Sequence, residues 1–195
     1  MTIFFAADHH FQHEKILTFR SEKDFELIRP GFKNIEEHDE AIVRNHNRVV
    51  TDNDLTYFLG DVAWKFNSKT KEILQSLNGR KRLVVGNHDD VDWLMAQKNV
   101  DGSKIFEKVY LWKYFPEHNL IASHVPLAES DLKRAKFNVH GHIHEKKVKK
   151  FKGASDFVND LRYLNVGMEQ SGYTPFSLET VVACMYEDTD ALKDK

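Results

Sequence analysis

Thr2-Ile3-Phe4-Phe5-Ala6-Ala7 runs into Asp8-His9-His10, and Leu55-Thr56-Tyr57-Phe58-Leu59 runs into Gly60-Asp61. In both places an apolar segment of strand length, rich in aromatic and β-branched residues, ends in side chains that can ligate a metal. The pattern returns at Leu83-Val84-Val85 before Gly86-Asn87-His88-Asp89, at Leu120-Ile121-Ala122 before Ser123-His124, and at Phe137-Asn138-Val139 before His140-Gly141-His142-Ile143-His144. In sheets covered by helices, ligands gather outside the carboxyl ends of the strands, where loops are free while the strands fix their positions. The glycines at 60, 86 and 141 allow the chain to turn tightly and present short side chains to one crevice.

Between these segments the pattern is helical. Asn34 with Glu37 reads as a capping box ahead of Ile35, Ala41, Ile42 and Val49. Ser68 is placed to cap a second helix carrying Ile73, Leu74 and Leu77, stopped by Asn78-Gly79. A third, short helix covers Val91 to Gln97 with Trp93 and Leu94 inward. Ile105 to Ala122 reads as an antiparallel hairpin turning at Pro116-Glu117-His118-Asn119, and Leu161–Gly167 and Leu178–Tyr186 supply one or two more elements. Strand and helix alternate early and strands dominate later, which predicts a layered α/β domain with mixed sheets. No repeat or composition shift divides residues 1–195, so a single domain is expected.

The composition narrows the chemistry. The chain has 195 residues, 41% hydrophobic and 30% charged, with 28 basic against 30 acidic side chains and a net charge of −2. That is a globular composition, which excludes collagen, coiled coil and a disordered tail. No apolar run reaches the ~18 residues of a membrane helix and the N-terminus lacks signal-peptide features, so a cytoplasmic location is expected. Eleven histidines accompany one cysteine, Cys184, which reads as a small core residue. Any metal must therefore be held by nitrogen and oxygen. Asp8, His10, Asp61, Asn87, His124, His142 and His144 offer two carboxylates, one amide oxygen and four imidazoles. This exceeds what one closed tetrahedral zinc takes. It suits two ions sharing a bridging carboxylate, with positions left for water and substrate. The imidazoles suit zinc, iron, nickel or manganese and the carboxylates and amide admit harder ions such as manganese, the ion favoured here, although the sequence does not choose among them.

The order Asp-x-His, Gly-Asp, Gly-Asn-His-Asp, His, Gly-His-x-His from Asp8 to His144 resembles the calcineurin-like metallophosphoesterase superfamily. Asn165-Val166-Gly167 and the Asp8–Phe11 segment with His13 look like the small bacterial and phage phosphoesterases. The resemblance implies a four-layer α/β/β/α arrangement of two mixed sheets flanked by helices. It implies one ion on Asp8, His10 and His144, the other on Asn87, His124 and His142, Asp61 bridging, and a bridging hydroxide attacking phosphorus. His88 would assist the leaving group and Asp89 would orient its ring. Phe11 and Ser123 depart from the glycines common at those places but remove no ligand. Val62-Ala63-Trp64 after Gly60-Asp61 differs from the protein serine/threonine phosphatases and argues against that branch.

His38, His46 and His118 are assigned to solvent, and His9, His13 and His140 to packing rather than to support of the ligands. Trp64 is read as a core tryptophan in preference to a stacking platform. Arg20, Arg29, Lys146 and Lys147 are candidates for holding substrate phosphate. The wider run Lys146, Lys147, Lys149, Lys150 and Lys152 reads first as a solvated loop, and second as a surface for nucleotide or nucleic acid. The expected activity is hydrolysis of a phosphodiester or phosphomonoester, with a nuclease or a non-catalytic metal-binding scaffold as alternatives.

Overall fold

In a computed structural model describing residues 1–153 and 156–190, β1 (Ile3–Ala6), α1 (Ile35–Val49), β2 (Leu55–Phe58), α2 (Ser68–Ser76), β3 (Arg80–Val84), α3 (Val91–Ala96) and β4 (Phe106–Tyr110) follow one another. Their strands lie parallel in the order β1-β2-β3-β4. The chain then changes sheets across the single residue Leu111. β5 (Trp112–Phe115) and β6 (Leu120–Ser123) pair antiparallel, and after α4 (Glu129–Leu132) strand β7 (Phe137–His140) lies parallel to β6. A separate ribbon of β8 (Lys149–Gly153) and β9 (Asp156–Asn159) precedes β10 (Tyr163–Asn165), which adds parallel to β7. After α5 (Met168–Ser171), β11 (Phe176–Ser177) closes the first sheet antiparallel to β1, and α6 (Leu178–Asp190) follows.

Both faces of the first sheet are covered, which is why its strands read as nearly continuous apolar runs. Phe5, Tyr57 and Val84 point toward the second sheet and meet Phe115, Leu120, Ala122 and Val139, together with Val181 and Met185 of α6. Ala6, Phe58 and Leu83 point the other way, onto Ile42 of α1, Ile73 and Leu74 of α2 and Leu94 of α3. The two mixed sheets flanked by helices are therefore as expected. The layer outside the second sheet is thin, because the four-residue α4, with Leu132, and Ala135 just after it cover Ile121 and its neighbours.

Several boundaries differ from the sequence reading. Asn67, not Ser68, caps α2, accepting from the Thr70 N–H at 3.1 Å. β3 begins three residues before its apolar run, because Lys81 is buried with its ammonium donating to the carbonyls of Leu77 and Gly79 at 2.6 and 2.9 Å. The predicted hairpin holds only for β5 and β6; β4 pairs with β3 instead. α1 starts as read, with Asn34 accepting from the Glu37 N–H and the Glu37 carboxylate accepting from the Lys33 N–H. Among the described residues no helix is long and apolar enough to cross a membrane.

Candidate metal centre

The strand ends converge as the sheet order requires. β1, β2 and β3 carry Asp8 and His10, Asp61, and the 86–89 loop. The neighbouring ends of β6 and β7 carry His124, and His142 with His144. The turns that aim these side chains are strained. Of the ten non-glycine residues with positive φ among those described, five are Asp8, His10, Asp61, His142 and His144, with φ between 50 and 71°. Such conformations persist where the surrounding structure over-determines them, and they cluster at functional sites. Gly60, at φ +84°, is essential to the approach. A Cβ there would lie 2.5 Å from Nδ1 of His124 and 2.6 Å from Cα of Gly86.

Asp61 stands at the centre. Its Oδ2 is 3.6 Å from Nε2 of His10, and its Oδ1 is 3.4 Å from Nε2 of His124. Asp8, His10 and Asp61 place ligand atoms within 4.8 Å of one another, and so do Asp61, His124 and His142. His124 shows what these groups require. Its Nδ1 lies 2.8 Å from the Leu59 carbonyl and donates to it, so Nε2 presents a lone pair. That lone pair faces Oδ1 of Asn87 at 2.9 Å, Nδ1 of His142 at 3.2 Å and the Asp61 carboxylate. One proton on His142 would satisfy only one of these contacts, whereas a cation would satisfy them all. Both ring nitrogens of His10 are buried without a hydrogen bond, and burial pushes its pKa far below the ordinary histidine range. A neutral imidazole is what a metal needs. The residues therefore fit divalent cations.

The surroundings hold the ligands in place. Both oxygens of Asp8 accept from the His142 N–H, at 3.0 and 2.9 Å, and burial raises the Asp8 carboxyl to about 7. Asp89 accepts from the N–H groups of Asp61, Val62 and Gly86 at 3.2, 2.8 and 2.8 Å. The expectation that Asp89 orients the His88 ring is corrected accordingly, because its oxygens are spent on the backbone that carries Asp61. The His88 N–H donates to Oδ1 of Asp61 at 3.0 Å, and the His88 ring lies 5.8 Å from that of His10.

Glu169 has no signal in the sequence reading. Two residues after Gly167, at the start of α5, it accepts from Nδ1 of His144 at 2.8 Å and from Arg29 at 2.8 Å. Burial would raise its carboxyl, but the Arg29 charge and the His144 bond outweigh this and hold it at about 2. Burial likewise opposes charge on His144, yet the Glu169 bond and charge raise it above the usual value. A carboxylate behind a ligand histidine fixes its tautomer and ring plane. Arg29 is thereby removed from the substrate-binding candidates. It is 1% exposed, paired with Glu169, and donates to the backbone carbonyls of Asp8 and His9 at 2.5 and 3.1 Å. Its fork braces the ligand loop and cannot reach a substrate.

Other assignments also change. His38 and His46 are buried, not solvated. His38 sits between Arg29 and Asp39 at 2.9 and 2.8 Å, and His46 reaches the Asn78 carbonyl at 3.1 Å. They share the inner face of α1 with Ile35 and Ile42, three or four positions away along the helix. His9 stacks on Phe58, and His140 is buried beside the Gly141 carbonyl. Trp64 is not in the core but 46% exposed. Cys184 is half-buried rather than enclosed. Arg20 and Lys146 border a hollow of about 440 Å³ with Phe19, Ile28, His142 and His144. Arg20 also donates to the Phe25 carbonyl at 2.8 Å and Lys146 pairs with Glu22 at 3.0 Å. Lys147 lies apart, beside His140 and Asp160. Lys149, Lys150 and Lys152 are exposed on β8.

The chain is 31% identical over 183 residues to the uncharacterised protein MJ1445 of Methanocaldococcus jannaschii, covering 92% of this chain and 89% of that one. It shares the fold of the protein of unknown function AQ665 from Aquifex aeolicus, with a TM-score of 0.62 and 24% identity across 92% of this chain and 97% of that one. The family model for calcineurin-like phosphoesterases matches residues 1–174, and the chain belongs to that family.

Proposed function

We propose that this protein is a phosphohydrolase working with two divalent ions, manganese favoured, and acting on phosphodiesters more readily than on phosphomonoesters. The observation that carries the reading is Asp61, whose two oxygens face two separate histidine groups. Asp8, His10 and His144 would hold one ion, and Asn87, His124 and His142 the other, with Asp61 shared. The ions when bound supply Lewis acidity toward the phosphoryl oxygens and toward water. The chain itself contributes alignment and a proton. The His88 N–H donates to Asp61, which anchors its backbone at the cleft, and its imidazole serves the leaving oxygen as proton donor. Asp89 keeps the 60–62 and 86–89 loops together and acts through Asp61 rather than on substrate. The hollow beside His142 and His144 would take the second ester group of a diester.

An intact ligand set with His88 favours hydrolysis over a scaffold. The test is turnover of an artificial aryl phosphodiester with manganese, comparing wild type with His88→Ala. The variant is expected to keep its metal and lose about 10²–10⁴-fold in kcat, the usual share of a general acid. Wild type inert with every divalent ion tried would overturn the reading.

One observation favours a nuclease as the second reading. The β8–β9 ribbon, which begins five residues after His144, exposes Lys149, Lys150 and Lys152, with the Phe151 and Phe157 rings open to solvent. Backbone phosphates would bind such a ribbon in a salt-dependent way. Affinity for single-stranded DNA that does not fall with rising ionic strength would exclude this role.

A further inference from the structure

Trp64 breaks the pattern of its own segment. Val62 and Ala63 are fully buried, yet the next residue leaves 46% of its surface in water. It is not loose. Phe11 and Ala63 form a parallel bridge, and the Trp64 N–H donates to the Phe11 carbonyl at 2.9 Å. One face of the indole is covered by the His13 imidazole, centroid to centroid 4.1 Å and 6° from parallel. The solvent-facing area therefore belongs to the opposite face and the outer edge. The His88 ring lies 5.1 Å from the indole, tilted by 54°. Phe19, 42% exposed, packs edge-on against His13 at 5.7 Å. Phe19, His13 and Trp64 thus form a wall of rings along the cleft beside the histidine that serves the leaving oxygen.

We propose that the open face of Trp64 is a binding platform for a flat aromatic group carried by the departing alcohol of the substrate, a nucleoside or an aryl alcohol. The inference rests on the phosphohydrolase reading and deepens it. A group bonded to the oxygen that His88 protonates must lie on the His88 side of the phosphorus, where the half-exposed indole stands. A tryptophan held on one face offers a large, orientation-tolerant stacking surface at little cost in conformational entropy. Aliphatic leaving groups gain little from it.

The test is calorimetric binding of three phosphonates, whose carbon–phosphorus bond resists hydrolysis, to metal-loaded wild type, Trp64→Ala and Trp64→Phe. Methylphosphonate reports the metal centre alone, phenylphosphonate an aryl group, and the 5′-phosphonate analogue of adenosine monophosphate a nucleoside. Trp64→Ala is expected to weaken the aromatic ligands about tenfold, the worth of one stacked ring. Methylphosphonate should bind unchanged, and Trp64→Phe should recover most of the loss. Loss with phenylphosphonate alone assigns the platform to aryl esters; loss with both extends it to nucleosides. Equal weakening of all three ligands, or of none, would overturn the proposal while leaving the phosphohydrolase reading intact. Failure of methylphosphonate to bind wild type would overturn both.

Discussion

His10 and His46 are equally hidden from water, at 2% and 1% exposure, and only their neighbours tell them apart. His46, under α1, reaches the Asn78 carbonyl and lies beside the Phe58 ring. His10, in the cleft, has no hydrogen bond on either nitrogen and a carboxylate 3.6 Å away. Beneath α1, His46 has a carbonyl on one nitrogen and an aromatic neighbour and leaves Nδ1 unpaired, whereas the cleft assembles acceptors that face one another. A buried histidine is thus a ligand candidate because of what surrounds it, and burial alone does not distinguish the two.

The sharpest way to break this distinction is at the residue that links the two regions. Glu169 joins His144 in the cleft to Arg29, which in turn contacts His38 beneath α1. Glu169→Gln should weaken metal binding about 10–100-fold, as loss of a group behind a ligand histidine does. It should also destabilise the fold by about 3–5 kcal/mol by unpairing a buried guanidinium. Metal titration and thermal unfolding of the same sample read both effects. Unchanged affinity would show that His144 needs no support.

Acid should act on the two regions in different ways. Burial lowers His46 to about 4, below its unfolded value of 6.5. The unfolded chain takes up a proton first as pH falls, so the stability His46 contributes is complete above 6.5 and is lost down to about 4. The shift corresponds to roughly 3 kcal/mol. His46→Gln, whose amide can still reach the Asn78 carbonyl, should flatten the fall in melting temperature across that window. In the cleft, Asp8 is raised to about 7, so a proton competes with metal below that pH. Stabilisation by manganese should therefore be present at pH 8 and fade as pH falls through 7 toward 5. A manganese effect as large at pH 5 as at pH 8 would contradict this.

The smallest effect belongs to the rim. Lys146 already pairs with Glu22 in solvent, so Lys146→Ala should raise KM by about fivefold at most, within the range of an exposed ion pair. A larger change would show that Lys146 leaves Glu22 to grip substrate.

The sequence was legible where local pattern and chemistry coincide. Apolar runs covered on both faces marked β1, β2, β6 and β7, and the residues just past them are the ones that meet in the cleft. What could not be read depends on contacts distant along the chain. Glu169 approaches Arg29 across 140 positions, and neither lies in a motif that would pair them. Lys81 extends β3 into a charged stretch because the Leu77 and Gly79 carbonyls solvate it. His38 and His46 fall on the inner side of α1, where their partners come from Arg29 and Asn78, outside the helix. Trp64 follows two core residues, and its outward turn is set by the bridge between Phe11 and Ala63.

The most direct test is an anomalous-scattering map from crystals soaked in manganese. Two peaks are predicted, one on each side of Asp61, each within coordinating distance of one of its carboxylate oxygens. A single peak, or peaks out of reach of Asp61, would contradict the account.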